Sequence, residues 1–287
     1  MRRRRSSLWI PGCTPRNRAV QPHPRAGRTR SGARRYRLGP SLALLAGALA
    51  LWELLVRALR VPDYLLPAPS RIGADFRGDA GLLASATWVT LREVLLGFLL
   101  ACAAGLGLAL ALHLSATLRR ALYPLLIASQ TIPVVVLAPV LVILLGFDRA
   151  PKLVIVALIC FFPIVVNGVD GLGSVDPELI RMMRTLDAGR WAILRRVEWP
   201  SALPMIFSGL RVAATYAAIG AVFGEWAGSN AGLGYVMLQA TPNLDTPRIF
   251  AAIVILTVLS LALFLLVSLV ERLTIPWARG SGGARPS

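Results

Sequence analysis

Residues 174–200 read SVDPELIRMMRTLDAGRWAILRRVEWP and lie between two long apolar runs. We call this stretch the polar island. Asp176, Pro177 and Glu178 form a helix start, because an N-cap side chain, a proline and an acid all suit the positive end of a helix. A structured loop of this length in an otherwise apolar chain predicts a docking surface. It favours a subunit driven by a partner over a self-sufficient channel.

Two short amphipathic helices are predicted within the polar island. The first carries an apolar stripe at helical spacing, made of Leu179, Met182, Met183 and Leu186. Asp187-Ala188-Gly189 breaks that helix, and a second stripe follows at Trp191, Leu194 and Val197. Pro200 is expected to end the second helix. Such faces suit a groove on a partner protein, and they equally suit a helix that lies on lipid headgroups with its arginines outward.

The composition of the chain is that of a membrane protein. Of its 287 residues, 56% are hydrophobic and 16% are charged, and the mean hydropathy is +0.65. A soluble domain of this size would need more polar surface. The net charge of +17 does not indicate nucleic-acid binding, because 12 of the 31 basic residues lie in residues 2–37 and most others lie in two loops and the tail.

Six apolar runs are long enough for membrane helices, which need ~20 residues each. The predicted fold is therefore all-α and polytopic, with about six transmembrane helices at 38–59, 86–112, 122–145, 153–169, 202–227 and 249–273. Pro133, Pro139 and Pro163 lie inside the third and fourth spans, where neighbouring helices or a cavity must satisfy the freed carbonyls. Kinks are expected there, and the third span is a candidate for a break.

Basic residues set the predicted orientation. With six spans the two termini share one side of the membrane, and the arginines of both tails and of the polar island then fall together. Loops rich in Lys and Arg stay in the cytoplasm, so the termini and the island are predicted to be cytoplasmic. The predicted domains are a basic, disordered tail over 1–37, a transmembrane domain over 38–277 and a cytoplasmic tail over 278–287.

The polar island resembles the EAA loop of the permeases of binding-protein-dependent ABC importers. That pattern is Glu-Ala-Ala, three residues, Gly, nine residues and Ile-x-Leu-Pro, and the matching positions here are Arg181-Met182-Met183, Asp187 and Val197-Glu198-Trp199-Pro200. The spacing and the final proline match, whereas the first letters differ and Asp187 replaces the glycine that turns the chain between two coupling helices. Asp tolerates a left-handed backbone better than most residues, and Gly189 follows two positions later, so the turn is expected to survive.

The resemblance extends over residues 38–277. The stretches that carry it are Ser129-Gln130-Thr131-Ile132-Pro133, Phe161-Phe162-Pro163, Asn167-Gly168-Val169-Asp170-Gly171-Leu172 and Gly232-Leu233-Gly234-Tyr235. They are similar to the branch of permeases that serves sulfonates, taurine, nitrate and thiamine precursors. Residues 219–226 and 232–237 are most similar to permeases for the hydroxymethylpyrimidine moiety of thiamine. The resemblance implies a type I ABC importer permease fold with a coupling-helix loop over about 174–200.

The resemblance also implies the coupling residues and the partners. The coupling residues would be Asp176, Leu179, Arg181, Met182, Met183, Leu186, Asp187, Gly189, Trp191, Val197 and Pro200. The expected partners are a dimer of ATP-binding cassette ATPases, a second permease copy that makes a homodimer, an extracytoplasmic solute-binding protein and the bilayer of the bacterial cytoplasmic membrane. ATP would bind the ATPase, since this chain has no GxxxxGK[ST] motif. No cofactor, metal or nucleic acid is expected on this chain.

Three polar residues are candidates for the solute path, namely Gln130, Asn167 and Glu225. Glu225 is an acid within a predicted span, where a carboxylate is costly and usually faces protein or water. It either borders the path at the outer end or lies at the membrane interface beside Trp226. His113 closes an apolar run without a carboxylate nearby in sequence, so it is expected to be an interfacial residue rather than a proton relay.

A row of small residues occurs in the fifth span. Gly220, Gly224 and Gly228 recur every four residues, and this spacing permits close approach of two helices. The row fits a tight contact between two permease subunits. It fits ordinary packing within one subunit equally well.

The predicted function is the permease subunit of an ATP-driven importer for a thiamine precursor of the hydroxymethylpyrimidine type. Aliphatic sulfonate, taurine or nitrate are the alternative solutes. A self-contained secondary transporter is the alternative class, and it would need inverted repeats or paired buried charges, neither of which is evident in the sequence. The chain is not expected to be an enzyme, because no HExxH or GxSxG motif occurs.

Overall fold

The computed structural model describes residues 38–279, which are mostly helical and contain no strand. The helices are α1 (Leu38–Ala58), α2 (Pro69–Gly78), α3 (Ala80–Leu114), α4 (Ala116–Ser129), α5 (Val134–Leu145), α6 (Arg149–Gly173), α7 (Pro177–Thr185), α8 (Arg190–Ile193), α9 (Trp199–Gly228), α10 (Leu233–Ala240) and α11 (Thr246–Thr274). Within the described residues, 46–279 belong to one compact unit, and 38–45, the start of α1, belong to another. The predicted tail over 1–37 and most of the tail over 278–287 lie outside the described residues.

Four helical stretches in the described part of the chain are long and apolar enough to cross a membrane. They are α3, α6, the continuous stretch Arg190–Gly228 and α11. The pair α4 and α5 passes the same test together, so the number rises to five if that pair is one span. The predicted count of six is not reached, since α1 is not in this set. α1 carries an ion pair between Glu53 and Arg57 at 2.5 Å.

The third predicted span, 122–145, is broken. α4 and α5 meet at an angle of 101°, and the break spans Gln130 to Pro133. Pro133 is the residue just before α5 and has an extended backbone. A proline lacks the N–H for a helical hydrogen bond and disfavours the helical conformation of the residue before it. The break that the prolines indicated is therefore present.

α6 lies at the centre of the fold, packed between α3 and α9. Its Val156, Cys160 and Ile164 belong to one buried cluster, to which α9 contributes mostly alanine, at positions 213, 214, 217, 218 and 221. Small side chains let membrane helices approach closely, and van der Waals packing then holds them together. A Cβ added to Gly220 would lie 2.9 Å from the Cα atom of Val156, so the backbones of α6 and α9 are in contact there.

The course of the helices defines two ends of the molecule. α3 ends beside the start of α9, since His113 bonds Glu198 at 2.9 Å. The end of α11 lies beside the first half of α9, since Arg211 bonds Glu271 at 2.5 Å. α6 leads directly into the polar island. We call this the island end. The opposite end, which holds α2, α10 and the first turns of α3, α6 and α11, is the far end.

The second helix of the polar island does not stop at Pro200, so that prediction is wrong. α8 continues through a π-helical segment, Leu194–Glu198, into α9 without interruption. The N–H of Trp199 bonds the carbonyl of Leu194 five residues back. This wider turn shifts the hydrogen-bond register just ahead of Pro200, whose missing N–H then falls in the first turn of α9, where proline is tolerated.

Candidate functional site

The first helix of the polar island begins as its sequence predicted. Oδ1 of Asp176 accepts a hydrogen bond from the N–H of Glu178 at 2.8 Å, and α7 follows from Pro177. Several large apolar side chains then point away from the rest of the chain. Leu186 is 70% exposed and Trp191 is 66% exposed, and Leu179 and Met182 are also exposed. These side chains have no cover from the described residues.

The turn after α7 is a Schellman motif with aspartate in the position that usually holds glycine. Asp187 adopts a φ of 57°, in the left-handed region. Its N–H bonds the carbonyl of Arg184, and the N–H of Ala188 bonds the carbonyl of Met183, which are the two bonds of that motif. Gly189 has a φ of −63° and is not used for the turn. The replacement of the family glycine by Asp187 therefore leaves the turn intact.

The other side of the polar island is attached to the end of α3. Nη2 of Arg190 donates to the carbonyl of Leu114 at 2.5 Å, and it lies 3.5 Å from the carbonyl of His113. Nε2 of His113 lies 2.9 Å from Oε2 of Glu198. A cavity of about 290 Å³ separates these groups from Ile180 and other residues of α7. The carboxylate partner of His113 was missed in the sequence because it lies on a different helix, far along the chain.

Glu225 lies in a buried network near the far end. The residue is 0% exposed. Its Oε1 lies 2.6 Å from Oγ1 of Thr90, and its Oε2 accepts a hydrogen bond from the N–H of Gly234. The N–H of Leu233 donates to Oγ1 of Thr90 at 2.8 Å. One carboxylate thus ties together α3, α9 and the start of α10.

A buried ion pair lies beside Glu225. Nζ of Lys152, in the first turn of α6, is 3.2 Å from Oε1 of Glu93 on α3 and 2.7 Å from Oγ of Ser229. Both charged residues are buried. We call Thr90, Glu93, Lys152 and Glu225 the far-end network. The sequence showed no paired charges, because these partners come from three helices whose mutual orientation it does not reveal.

Gly232 allows the backbone to approach the far-end network. It has a φ of 113°, and a Cβ added there would lie 2.1 Å from Oε1 of Glu225. No other residue type fits both the conformation and the space. The geometry therefore explains the glycines of the Gly232-Leu233-Gly234 stretch, which brings two backbone N–H groups within hydrogen-bonding distance of Glu225 and Thr90.

The three predicted path residues are not brought together. Glu225 is surrounded by protein atoms of its own chain, which is neither of the two surroundings that the sequence suggested. Gln130 is exposed at the break between α4 and α5. Asn167, in α6, donates from Nδ2 to the carbonyl of Pro163 at 2.8 Å. A role of these residues in the solute path stays a prediction.

The glycine row of α9 packs within the subunit. A Cβ added to Gly220 or Gly224 would lie 2.9 or 3.0 Å from Cα atoms of α6, and one at Gly228 would lie 2.9 Å from Val142 of α5. Of the two interpretations of the row, the geometry supports packing within one subunit. The close contact places Lys152 next to Gly224, which helps to position its ammonium group in the far-end network.

A known protein family matches more than half of this chain. Residues 103–277 match the family model described as "Binding-protein-dependent transport system inner membrane component". The chain belongs to this family. The resemblance stated from the polar island is therefore confirmed, and the protein is the permease subunit of an ABC importer rather than a self-contained transporter.

Three curated relatives align with most of this chain. The formylaminopyrimidine transport permease protein ThiX of Halalkalibacterium halodurans is 36% identical over 84% of this chain and 96% of its own. The riboflavin transport system permease protein RibX of Chloroflexus aurantiacus is 39% identical over 80% of this chain and 86% of its own. A putative aliphatic sulfonates transport permease protein, SsuC of Bacillus subtilis, is 31% identical over 90% of this chain and 94% of its own.

A solved structure shows the same fold. A chain from the MetNI methionine ABC transporter in an inward-facing conformation covers 68% of the permease and 96% of itself, with a TM-score of 0.59 and 18% identity. The predicted type I permease fold is thus confirmed. Within the described residues no group of His, Cys, Asp and Glu is arranged to hold a metal ion.

Proposed function

We propose that the permease carries a neutral nitrogen heteroaromatic solute, a thiamine precursor of the pyrimidine type. The observation that carries this is the relative named for formylaminopyrimidine, which matches over nearly its whole length. The riboflavin relative has a larger heteroaromatic solute in its name, so two of the three relatives share this chemistry. A sulfonate is the alternative, supported by the relative that is 31% identical.

The test is transport with the complete importer. The permease is reconstituted in vesicles with its ATPase and its solute-binding protein, and ATP-dependent uptake is measured for hydroxymethylpyrimidine, formylaminopyrimidine, riboflavin and taurine. We expect uptake of the pyrimidines. Uptake of taurine alone would overturn the pyrimidine proposal and leave the assignment as an importer permease in place.

The polar island is the proposed dock for a separate ATPase. Its support is the set of exposed apolar side chains outside the membrane spans, which includes Leu186 and Trp191. An amphipathic helix with such a face suits a groove on a partner. In this proposal the island lies in the cytoplasm, together with both termini, and the complete importer holds two copies of the permease and receives its solute from an extracytoplasmic binding protein.

The dock is tested by the variant Leu186→Asp. We expect the ATPase to stop co-purifying with the permease while membrane insertion persists, because a carboxylate cannot enter an apolar groove without a large desolvation cost. Leu65→Asp is the matched control, since Leu65 is 64% exposed at the far end. Equal retention of the ATPase by both variants would show that the island rests on lipid headgroups instead.

A part for Glu225 in the solute path requires the far-end network to open during transport. The proposal is supported by the position of this carboxylate between α3, α9 and α10, which can separate only if the network breaks. Glu225→Cys should then react with a water-soluble thiol reagent in one ATP state and not in another. A cysteine that is inert in every state, together with unchanged uptake by Glu225→Gln, would leave Glu225 a packing residue.

A further inference from the structure

The polar island is fastened to the membrane helices at two points on one helix end. Arg190, the first residue of α8, donates to the carbonyl of Leu114. Glu198, the last residue of the π-helical segment, bonds His113. Leu114 and His113 are the last two residues of α3. The stretch from α8 to the π-helical segment is therefore held to α3 at its beginning and at its end.

The chemistry of each contact suits a firm attachment. The last carbonyls of a helix have no partner within the helix and carry its negative end, so a guanidinium there is favoured by hydrogen bonding and by the helix dipole. The side chains of His113 and Glu198 are both largely buried, with exposures of 16% and 14%. A hydrogen bond between partly buried groups is costly to break, since both groups would lose a partner away from water.

α7 is held differently from the rest of the island. Its apolar side chains face outward, and the cavity of about 290 Å³ lies between its Ile180 and Arg184 and the bonded pair of His113 and Glu198. α7 continues through the Asp187 turn into Arg190. A partner that displaces α7 therefore acts on Arg190 through the Asp187 turn, as well as on α6 through residues 174–176, and the cavity leaves room for that displacement.

α3 connects this attachment to the far end. It is 35 residues long, packs along α6 and α9, and carries Thr90 and Glu93 of the far-end network in its first half. A displacement of its last turn is consequently transmitted along a continuous helix to the residues that hold Glu225. α9 and α6 give further routes, since α9 begins directly after Glu198 and α6 leads directly into the island.

We propose that Arg190, His113 and Glu198 form a clamp through which movement of the polar island is passed to α3. We call these three residues the α3 clamp. They are positioning residues for transport and touch neither solute nor ATP. The proposal rests on the proposed docking of the ATPase on the island. It adds the specific element, α3, that the docked partner would move.

The experiment measures the number of solute molecules imported per ATP hydrolysed by the reconstituted importer. The variants are Glu198→Leu, which cannot hydrogen-bond His113, and Arg190→Met, with Arg195→Met as the matched control on the same segment, where the arginine is exposed. We expect the ATPase to remain bound and to hydrolyse ATP in all three. The ratio should fall at least about fivefold in the two clamp variants, the lower end of usual coupling between sites, and stay unchanged in the control.

An exchange of partners separates transmission from simple stability. The double variant His113→Glu with Glu198→His keeps a hydrogen-bonding pair at the same place, so it should recover most of the ratio that Glu198→Leu loses. A purely structural role would lower the melting temperature and the amount of assembled importer without changing the ratio.

Two results would overturn the clamp. One is an unchanged ratio in both Glu198→Leu and Arg190→Met. The other is loss of ATPase binding in these variants, because the residues would then belong to the dock itself. Failure of the docking proposal looks different: Leu186→Asp would keep the ATPase bound.

Discussion

The far-end network and the polar island reverse the usual placement of polar and apolar side chains. At the far end, two glutamates and a lysine are buried between membrane helices, and hydrogen bonds within the chain occupy most of their polar atoms. In the island, leucine, methionine and tryptophan side chains are exposed on a polar loop. One region buries charge and the other exposes apolar surface.

The difference shows which region the chain completes by itself. A charge that is buried without a partner costs several kcal/mol, so the far-end network must be satisfied by the subunit's own residues. Exposed apolar side chains on a loop cost little but gain stability when a partner covers them. The far end is therefore expected to respond to substitution through the stability of the permease, and the island through its assembly with a partner.

The largest expected effect is that of Lys152→Met at the far end. Removal of the ammonium leaves the Glu93 carboxylate buried without its ion partner, and breaking a buried pair in this way costs about 3–5 kcal/mol. The melting temperature in detergent should fall strongly. Arg149→Met, one turn earlier on α6, removes an exposed charge that acts on Glu93 more weakly than Lys152 does, so it should lower the melting temperature much less. The double variant Glu93→Gln with Lys152→Met should recover part of the loss, and no recovery would mean that the two residues act separately.

The next largest effect is expected for a glycine at the far end, and it should be absent for a glycine in the island. Gly232→Ala places a Cβ against Oε1 of Glu225 at a positive φ, where the backbone strain alone is about 1–3 kcal/mol. Gly189→Ala has a negative φ and open space around its Cβ, so the melting temperature should not change. Equal melting temperatures would show that the backbone near Glu225 is not tightly held.

A smaller effect is expected at the island turn. Asp187→Gly should leave ATPase binding and transport within about a factor of a few, because glycine adopts the left-handed conformation freely. Asp187→Val should weaken ATPase binding about five- to thirtyfold, since a left-handed residue with a branched side chain costs about 1–2 kcal/mol or more. If Asp187→Gly abolishes coupling, the carboxylate itself contacts a partner.

The smallest expected effect concerns α2 at the far end and depends on pH. Burial raises the pKa of Asp75 above its ordinary value, against the opposing charge of Arg248, and Oδ2 of Asp75 is buried without a partner. The native state therefore holds this proton more firmly than the unfolded chain, so stability falls as the pH rises through the raised pKa. Asp75→Asn should be more stable than the parent at neutral pH, by less than about 1 kcal/mol for this partly exposed group. The difference should vanish below about pH 4, near the ordinary value, and a difference that persists there would exclude titration as its cause.

The sequence alone determined the class of the protein and the local structure of the island. Long apolar runs require a membrane, the Asp176-Pro177 start fixes where α7 begins, and the spacing of the island matches the family pattern despite Asp187. The start of α7 depends on residues within one helical turn, and each apolar run or motif spacing lies within one continuous stretch of about twenty to thirty residues. Local backbone preferences and hydropathy act along such a stretch, so these features can be predicted from the sequence.

The tertiary structure decided the partners of the polar residues. Glu225 was expected at a path or an interface, yet Thr90 and Gly234 enclose it. His113 had no carboxylate nearby in sequence, yet Glu198 bonds it. Helical periodicity shows which residues share a face, but it does not show which other helix that face meets or at what height. Those are set by the close packing of α3, α6 and α9, which depends on small residues from all three helices at once.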